Sequence, residues 1–228
     1  MTRKGFERDV QRQEDELLDL GSIVENALPE AVDILRRRDM DGSKRLIAQD
    51  RSINEKRFAI ESNVLALIAM QQPMASDLRI LASILEIAGE LERIGDYAKG
   101  IAKINLMIGE GPLLKPLIDL TRMAAKACEM LHQALTAFVQ RDTDQARAIP
   151  AQDDEVDALY NQVYRELVTF IIADPHNTTQ ANYLLWAAHN LERAADRVTN
   201  ICERVIFTVT GRVVELDGEN KLNADRWP

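Results

Sequence analysis

Glu92 and Asp96 stand four residues apart in this chain, as do Glu192 and Asp196, Asp153 and Asp157, and the less acidic Asp50 and Asn54. On an α-helix that spacing stacks both groups on one face, one turn above the other. Like charges placed so cost an isolated helix a few tenths of a kcal/mol, so their repetition points to a use for them. Carboxylate and amide oxygens without thiolates suit hard or borderline cations: magnesium, manganese or iron, with zinc also admitted.

A hairpin makes the reading sharper. When two helices fold back about a turn, residues equidistant from the turn lie level. Asn54 with Glu92, and Asp50 with Asp96, both centre on Pro73. Asp157 with Glu192, and Asp153 with Asp196, both centre between Asp174 and Pro175. Four oxygen-bearing side chains would thus converge within about one helical turn in each of two places. The second set is wholly acidic, with Asp154 and Glu155 nearby. The first has Asn54 and is expected to bind more weakly. Lys99 and Lys103 share the face of Glu92 and Asp96 and would compete for their charge, where the second set has Thr199 and Glu203. His189, one turn before Glu192, would offer a nitrogen ligand. The competing reading is a solvated face laced with ion pairs, for which Arg57, Arg93 and Arg193 are at hand.

The elements that must position these groups are helices. Turn signals divide the chain into six long segments, near residues 6–38, 43–72, 76–108, 113–141, 142–173 and 178–210, with Ser76 read as an N-cap and Pro29 and Pro150 expected to kink or break their segments. Leu46, Ile53, Ile60 and Leu67 recur every seven residues; Leu81, Ile84, Ala88, Leu91 and Ala98 form another stripe. Hydrophobic residues make up 46% of 228, aromatics only 5%, with 10 glycines and 7 prolines, which argues against an all-β fold. Arg36, Arg37 and Arg38 read as a cationic helix C-terminus. Cys128 and Cys202 have no metal or redox spacing and are expected in the core.

The third and sixth segments repeat each other: Leu91-Glu92-Arg93-Ile94-Gly95-Asp96 aligns with Leu191-Glu192-Arg193-Ala194-Ala195-Asp196. The second and fifth align less closely, Ala48-Gln49-Asp50 with Ala151-Gln152-Asp153. The expected fold is therefore all-α: two tandem antiparallel three-helix bundles related by a pseudo-two-fold internal repeat, over 1–109 and 112–211, with a polar C-terminal tail over 212–228. Lys and Arg number 28 against 37 Asp and Glu, a net charge of −9, which disfavours a nucleic-acid partner. No apolar N-terminal stretch or 20-residue apolar run stands out, so a cytoplasmic protein is expected.

The doubled Leu-Glu-Arg-x-x-Asp run, with Gln72-Pro73-Met74-Ala75-Ser76-Asp77-Leu78-Arg79 opening the third segment, resembles the PhoU family of bacterial phosphate-uptake regulators. The resemblance spans about 6–210 and departs at Ala194-Ala195. It implies a cytoplasmic regulator, not an enzyme, that acts with the ATPase subunit of a phosphate ABC transporter and a phosphate-sensing histidine kinase to keep the starvation response off. A homodimer is expected, with membrane contact only through partners. Some members carry metal clusters on Glu/Asp-x-x-x-Asp pairs, which map onto Asp50, Glu92, Asp96, Asp153, Asp157, Glu192 and Asp196, with Asn54 a departure. Two other classes compete. One is a metal-independent adaptor docking through its acidic faces. The other is a di-iron carboxylate enzyme built on Glu129-Met130-Leu131-His132, which lacks the second Glu-x-x-His such a centre needs.

Overall fold

The computed structural model describes residues 3–216, and among these every regular element is helical. The order is α1 (Arg3–Arg37), α2 (Met40–Gln71), α3 (Ser76–Ile108), α4 (Ile118–Gln140), the short α5 (Thr143–Ala148), α6 (Asp153–Ala173) and α7 (Thr178–Thr210). The predicted all-α fold is the one observed. The first three helices form one bundle and the last four the other; the predicted boundary falls in the connection between α3 and α4.

Local chemistry sets the ends. Asp39 takes a β conformation and accepts from the Gly42 N–H at 2.7 Å, so α2 begins at Met40, three residues before the predicted start. Ser76 is not a cap. It is the first helical residue, and Ala75 holds the cap position at φ +44° without a side-chain hydrogen bond. Pro116 disfavours helix at the residue before it, and α4 starts at Ile118 rather than near Leu113. The two prolines behave differently. Pro29 lies within a continuous α1. Pro150 opens a 3-10 turn between α5 and α6, breaking the fifth segment in two. Arg36 and Arg37 pair with Asp33 in the last turn of α1. Arg38 is left-handed at φ 59°, and its guanidinium caps another helix by donating to the Gly109 carbonyl and the Asn105 side chain at the end of α3.

The apolar stripes meet inside. Leu46, Ile53, Ile60 and Leu67 of α2 and Leu81, Ile84, Ala88, Leu91 and Ala98 of α3 are all buried. Leu91 and its counterpart Leu191 are fully buried, each contributing about 1.5–3 kcal/mol. Both bundles share one continuous core. They join chiefly along α3 and α7, which run antiparallel: Ser83 meets Thr208 (2.7 Å), Glu86 meets Arg204 (2.8 Å), and Glu90 meets Asn200 (3.2 Å). These pairs close on Gly95 and Ala195, the same position in the two copies, and a pseudo-two-fold axis passes there. After Gly211 the chain turns back, and the Leu216 N–H donates to Glu203 Oε1 at 2.9 Å. The rest of the predicted tail, 217–228, lies outside the described residues.

Candidate functional site

Gly95 lets α2 and α3 approach closely. A Cβ there would stand 2.9 Å from Ile53 Cδ1. The second copy has Ala195 at the position of Gly95 and Val156 at that of Ile53, both fully buried.

In the first hairpin, Asp50 is buried, Glu92 half-buried and Asp96 exposed. Glu92 is pushed above the usual carboxylate range, first by burial and then by the charge of Asp96, with Asp50 adding to it. These acids are not left to repel one another. Lys99 Nζ donates to Asp50 Oδ2 at 2.7 Å and to Asp96 Oδ1 at 3.0 Å, and its own pKa is raised, first by the Asp50 bond. Asn54 turns its amide onto the Asp50 carbonyl and Asp50 Oδ2, both at 3.1 Å, so it presents a donor rather than a ligand oxygen to its neighbour. Asp50 Oδ1 is buried and accepts no hydrogen bond. Lys103 is exposed. A cleft of about 320 Å³ between α1, α2 and α3 opens onto Asp50 and Lys99, an unforeseen feature.

In the second hairpin, Asp153 is buried and Asp157, Glu192 and Asp196 are half-buried. Glu192 is raised by burial first, then by Asp196, with Asp157 adding to it across the hairpin. His189 Nδ1 lies 3.1 Å from Glu192 Oε2, and the Tyr160 ring sits 6.1 Å from the His189 ring. Burial and the Glu192 charge push the Tyr160 phenol up. The position equivalent to Lys99 is Thr199, fully buried, its hydroxyl without a hydrogen bond. Glu155 is turned away from the site toward Arg122 and Lys126 of α4 (4.0 and 3.5 Å). Tyr160 carried no functional signal at its position, because an aromatic at a helix-face spacing reads as core.

The two clusters differ in how they suit a cation. The first already holds an ammonium against its carboxylates, and its donor set does not fit a metal. The second is wholly acidic at the predicted positions, a set of hard oxygens of the kind that suits such an ion. Among the described residues, however, no group of three or more His, Cys, Asp or Glu side chains stands arranged to hold a metal ion. Any ion in the second cluster would draw its ligands in by side-chain rotation.

The remaining sequence candidates lie elsewhere. Glu129 and His132 are on the outer face of α4: Glu129 bonds Lys126 and Gln133, and His132 is largely exposed beside Glu25. They do not point into a bundle core, as a di-iron centre requires. Cys202 is buried, whereas Cys128 is only partly so and donates to the Glu25 carbonyl. Arg193 hydrogen-bonds Tyr97 across the α3–α7 seam, which raises its pKa and ties the helix of one cluster to that of the other. A larger apolar cleft of about 640 Å³, lined by Pro29, Val32, Leu117 and Ile118, holds none of the predicted donors.

The PhoU domain model matches the chain twice, over residues 17–104 and 120–205. A phosphate-specific transport system accessory protein PhoU homolog of Deinococcus radiodurans is 36% identical over 92% of this chain and 98% of its own length. One from Aquifex aeolicus is 32% identical over 91% and 94%. The crystal structure of the phosphate transport system regulatory protein PhoU from Streptococcus pneumoniae superimposes with a TM-score of 0.85 at 31% identity, covering 92% of this chain and all of that one. PhoU from Pseudomonas aeruginosa gives 0.85 at 32%, over 91% of this chain.

Proposed function

The chain belongs to the PhoU family, and from that premise we propose that it is a regulatory accessory protein of a phosphate-specific transport system. It works in the cytoplasm, as a homodimer and without enzymatic activity of its own. It bridges the ATPase subunit of the phosphate transporter and a phosphate-sensing histidine kinase, and holds the starvation response off while phosphate is plentiful. The observation that supports this reading is the double match to the PhoU domain, over about three quarters of the chain, together with relatives named as accessory proteins of a phosphate-specific transport system.

Within this reading the second cluster is the cation site. Asp157, Glu192 and Asp196, with Asp153 one turn from Asp157 and His189 beside Glu192, would hold a divalent ion. Such an ion would supply charge that links α6 to α7. Binding would release the proton that Glu192 retains more readily than an ordinary carboxylate, so affinity falls in acid. A second reading is favoured by one observation, that no three donors stand gathered among the described residues. The same acidic face would then dock a basic surface of the kinase or transporter without metal.

Deleting the gene should derepress a phosphate-starvation reporter in phosphate-rich medium, and the intact chain should restore repression. An unchanged reporter would refute the regulatory assignment. A chain carrying Glu192→Ala and Asp196→Ala separates the two uses of the face. Loss of both bound metal and repression supports the cation site, and loss of repression alone supports docking. Retention of both removes the face from function.

A further inference from the structure

The outer face of α2 near the turn of the first hairpin is unlike the rest of the surface. In a chain whose residues are 29% charged, Glu61 is the only charged residue from Phe58 to Ser76. α2 packs on α1 and α3, and its Ile60, Val64 and Leu67 are buried. Phe58, Ser62, Leu65 and Ala69 lie on the opposite side, spaced four, three and four residues apart like one seam of a coiled coil. All four are exposed, Phe58 by 56% and Leu65 by 51%, with Ala59, Ala66 and Met70 exposed beside them. We propose that this face of α2 is the surface through which two copies of the chain associate, as an antiparallel helix pair. The inference rests on the homodimer of the reading above and names the surface that makes it.

Charge, shape and number choose a second copy as the occupant. The chain carries a net charge of −9, so two copies repel one another over much of their surface. An uncharged face is where they meet without that repulsion, and an acidic or basic partner finds no charge there to pair with. Two α2 helices laid antiparallel about a two-fold between Asn63 and Val64 bring Phe58 opposite Ala69, and Ser62 opposite Leu65, of the second copy. Each of the four rungs then sets a large side chain against a small one, which lets the helices approach closely. Glu61, held by Arg57 at 3.1 Å, comes level with Ala66 rather than with its own copy. In the alignment that matches Asp50 with Asp153, the places of Phe58 and Ser62 hold Asn161 and Arg165 in α6. The chain therefore carries this face once, and a single self-complementary patch closes as a two-fold dimer rather than growing into a chain of copies.

Sedimentation velocity of the full-length chain, from about 1 to 100 μM, reads the association. A dimer that dissociates on dilution is expected, since four rungs make a small interface. Leu65→Glu, at an exposed position, sets uncompensated carboxylates at the centre of the pairing and is expected to weaken the dimer at least about a hundredfold, with helical circular dichroism unchanged. If Leu65→Glu does not fold, Ala69→Glu is read by the same criterion. Disulfide trapping reads the direction: Phe58→Cys and Ala69→Cys chains should cross-link when mixed, above the background of the unaltered chain, and neither should do so alone. An unaltered chain that stays monomeric throughout overturns this surface and the homodimer together, and leaves the face to a helix of another protein. A dimer that persists in Leu65→Glu, or a Phe58→Cys chain that cross-links by itself, overturns the proposed pairing while the homodimer stands.

Discussion

A double-mutant cycle of Asp50→Asn and Lys99→Met measures how far the first cluster is held by its internal cation. Removing the ammonium leaves Asp50, whose side chain is 9% exposed, with Oδ1 unbonded and Oδ2 on the Asn54 amide alone. Stranding one member of a buried pair costs about 3–5 kcal/mol. Lys99 is 25% exposed, so water recovers part of that loss, and about 2 kcal/mol is expected. Asp50→Asn is milder, about 1 kcal/mol, because Lys99 keeps Asp96 and the amide can still accept. With the carboxylate and ammonium gone together, neither charge is stranded, so the double variant should lose less than the two single ones combined. The coupling should be about 1–2 kcal/mol. Urea unfolding followed by helical circular dichroism, at neutral pH with chelator, reads all four chains. A coupling below about 0.5 kcal/mol would mean that Lys99 and Asp50 act independently, and the reading of Lys99 as the charge that holds Asp50 would fall with it.

Two further outcomes follow from other buried polar groups. Glu192 has a folded-state pKa above its ordinary 4.5, so its favourable contribution is complete below that value and is lost as pH rises through the higher folded value. Glu192→Gln should therefore stabilise the metal-free chain at neutral pH, by about 0.5 kcal/mol from like-charge relief, and not in acid; thermal melts showing the reverse pH trend would contradict it. Gln13 is fully buried in α1, and neither its amide oxygen nor its nitrogen finds a partner. Gln13→Met, of similar shape, should raise stability by about 1–3 kcal/mol in the same urea assay, and a loss would show that the amide is satisfied after all.

Much of this architecture was legible in the sequence because helix periodicity and breakers are local signals. The stripes of α2 and α3 buried the residues that their spacing named, and the hairpin about 174–175 brought Asp157 to act on Glu192 and Tyr160 to His189. The first hairpin is less regular. Lys99 reaches Asp50, and Arg57 acts on Glu92, in a register displaced by a residue or two from the one centred on Pro73. The cause is the turn itself, where Gln72 and Ala75 both take positive φ and add slack that a proline alone does not reveal. Helix ends failed where a cap resembled a breaker: Asp39-Met40-Asp41-Gly42 reads as a turn, yet Asp39 begins a helix there.

What sequence could not supply is which side chain satisfies which charge, since that depends on rotamers and on helices far apart in the chain. Arg38 illustrates the limit. As the last of three arginines it reads as a cation for its own helix, but the left-handed turn at Arg38 swings it onto the end of α3, 67 residues away, where Asn105 also bonds Ser43. The α3–α7 seam has the same character. Its ion pairs join Glu86 and Glu90 to Arg204 and Arg197, residues that on either helix alone would pass for solvated faces. Because this charged seam crosses the pseudo-two-fold axis, the helices bearing Glu92 and Glu192 are fastened to each other more extensively than either is to its own hairpin partner. A change of charge in one cluster that moves its helix must therefore move the other, or break Arg193 from Tyr97.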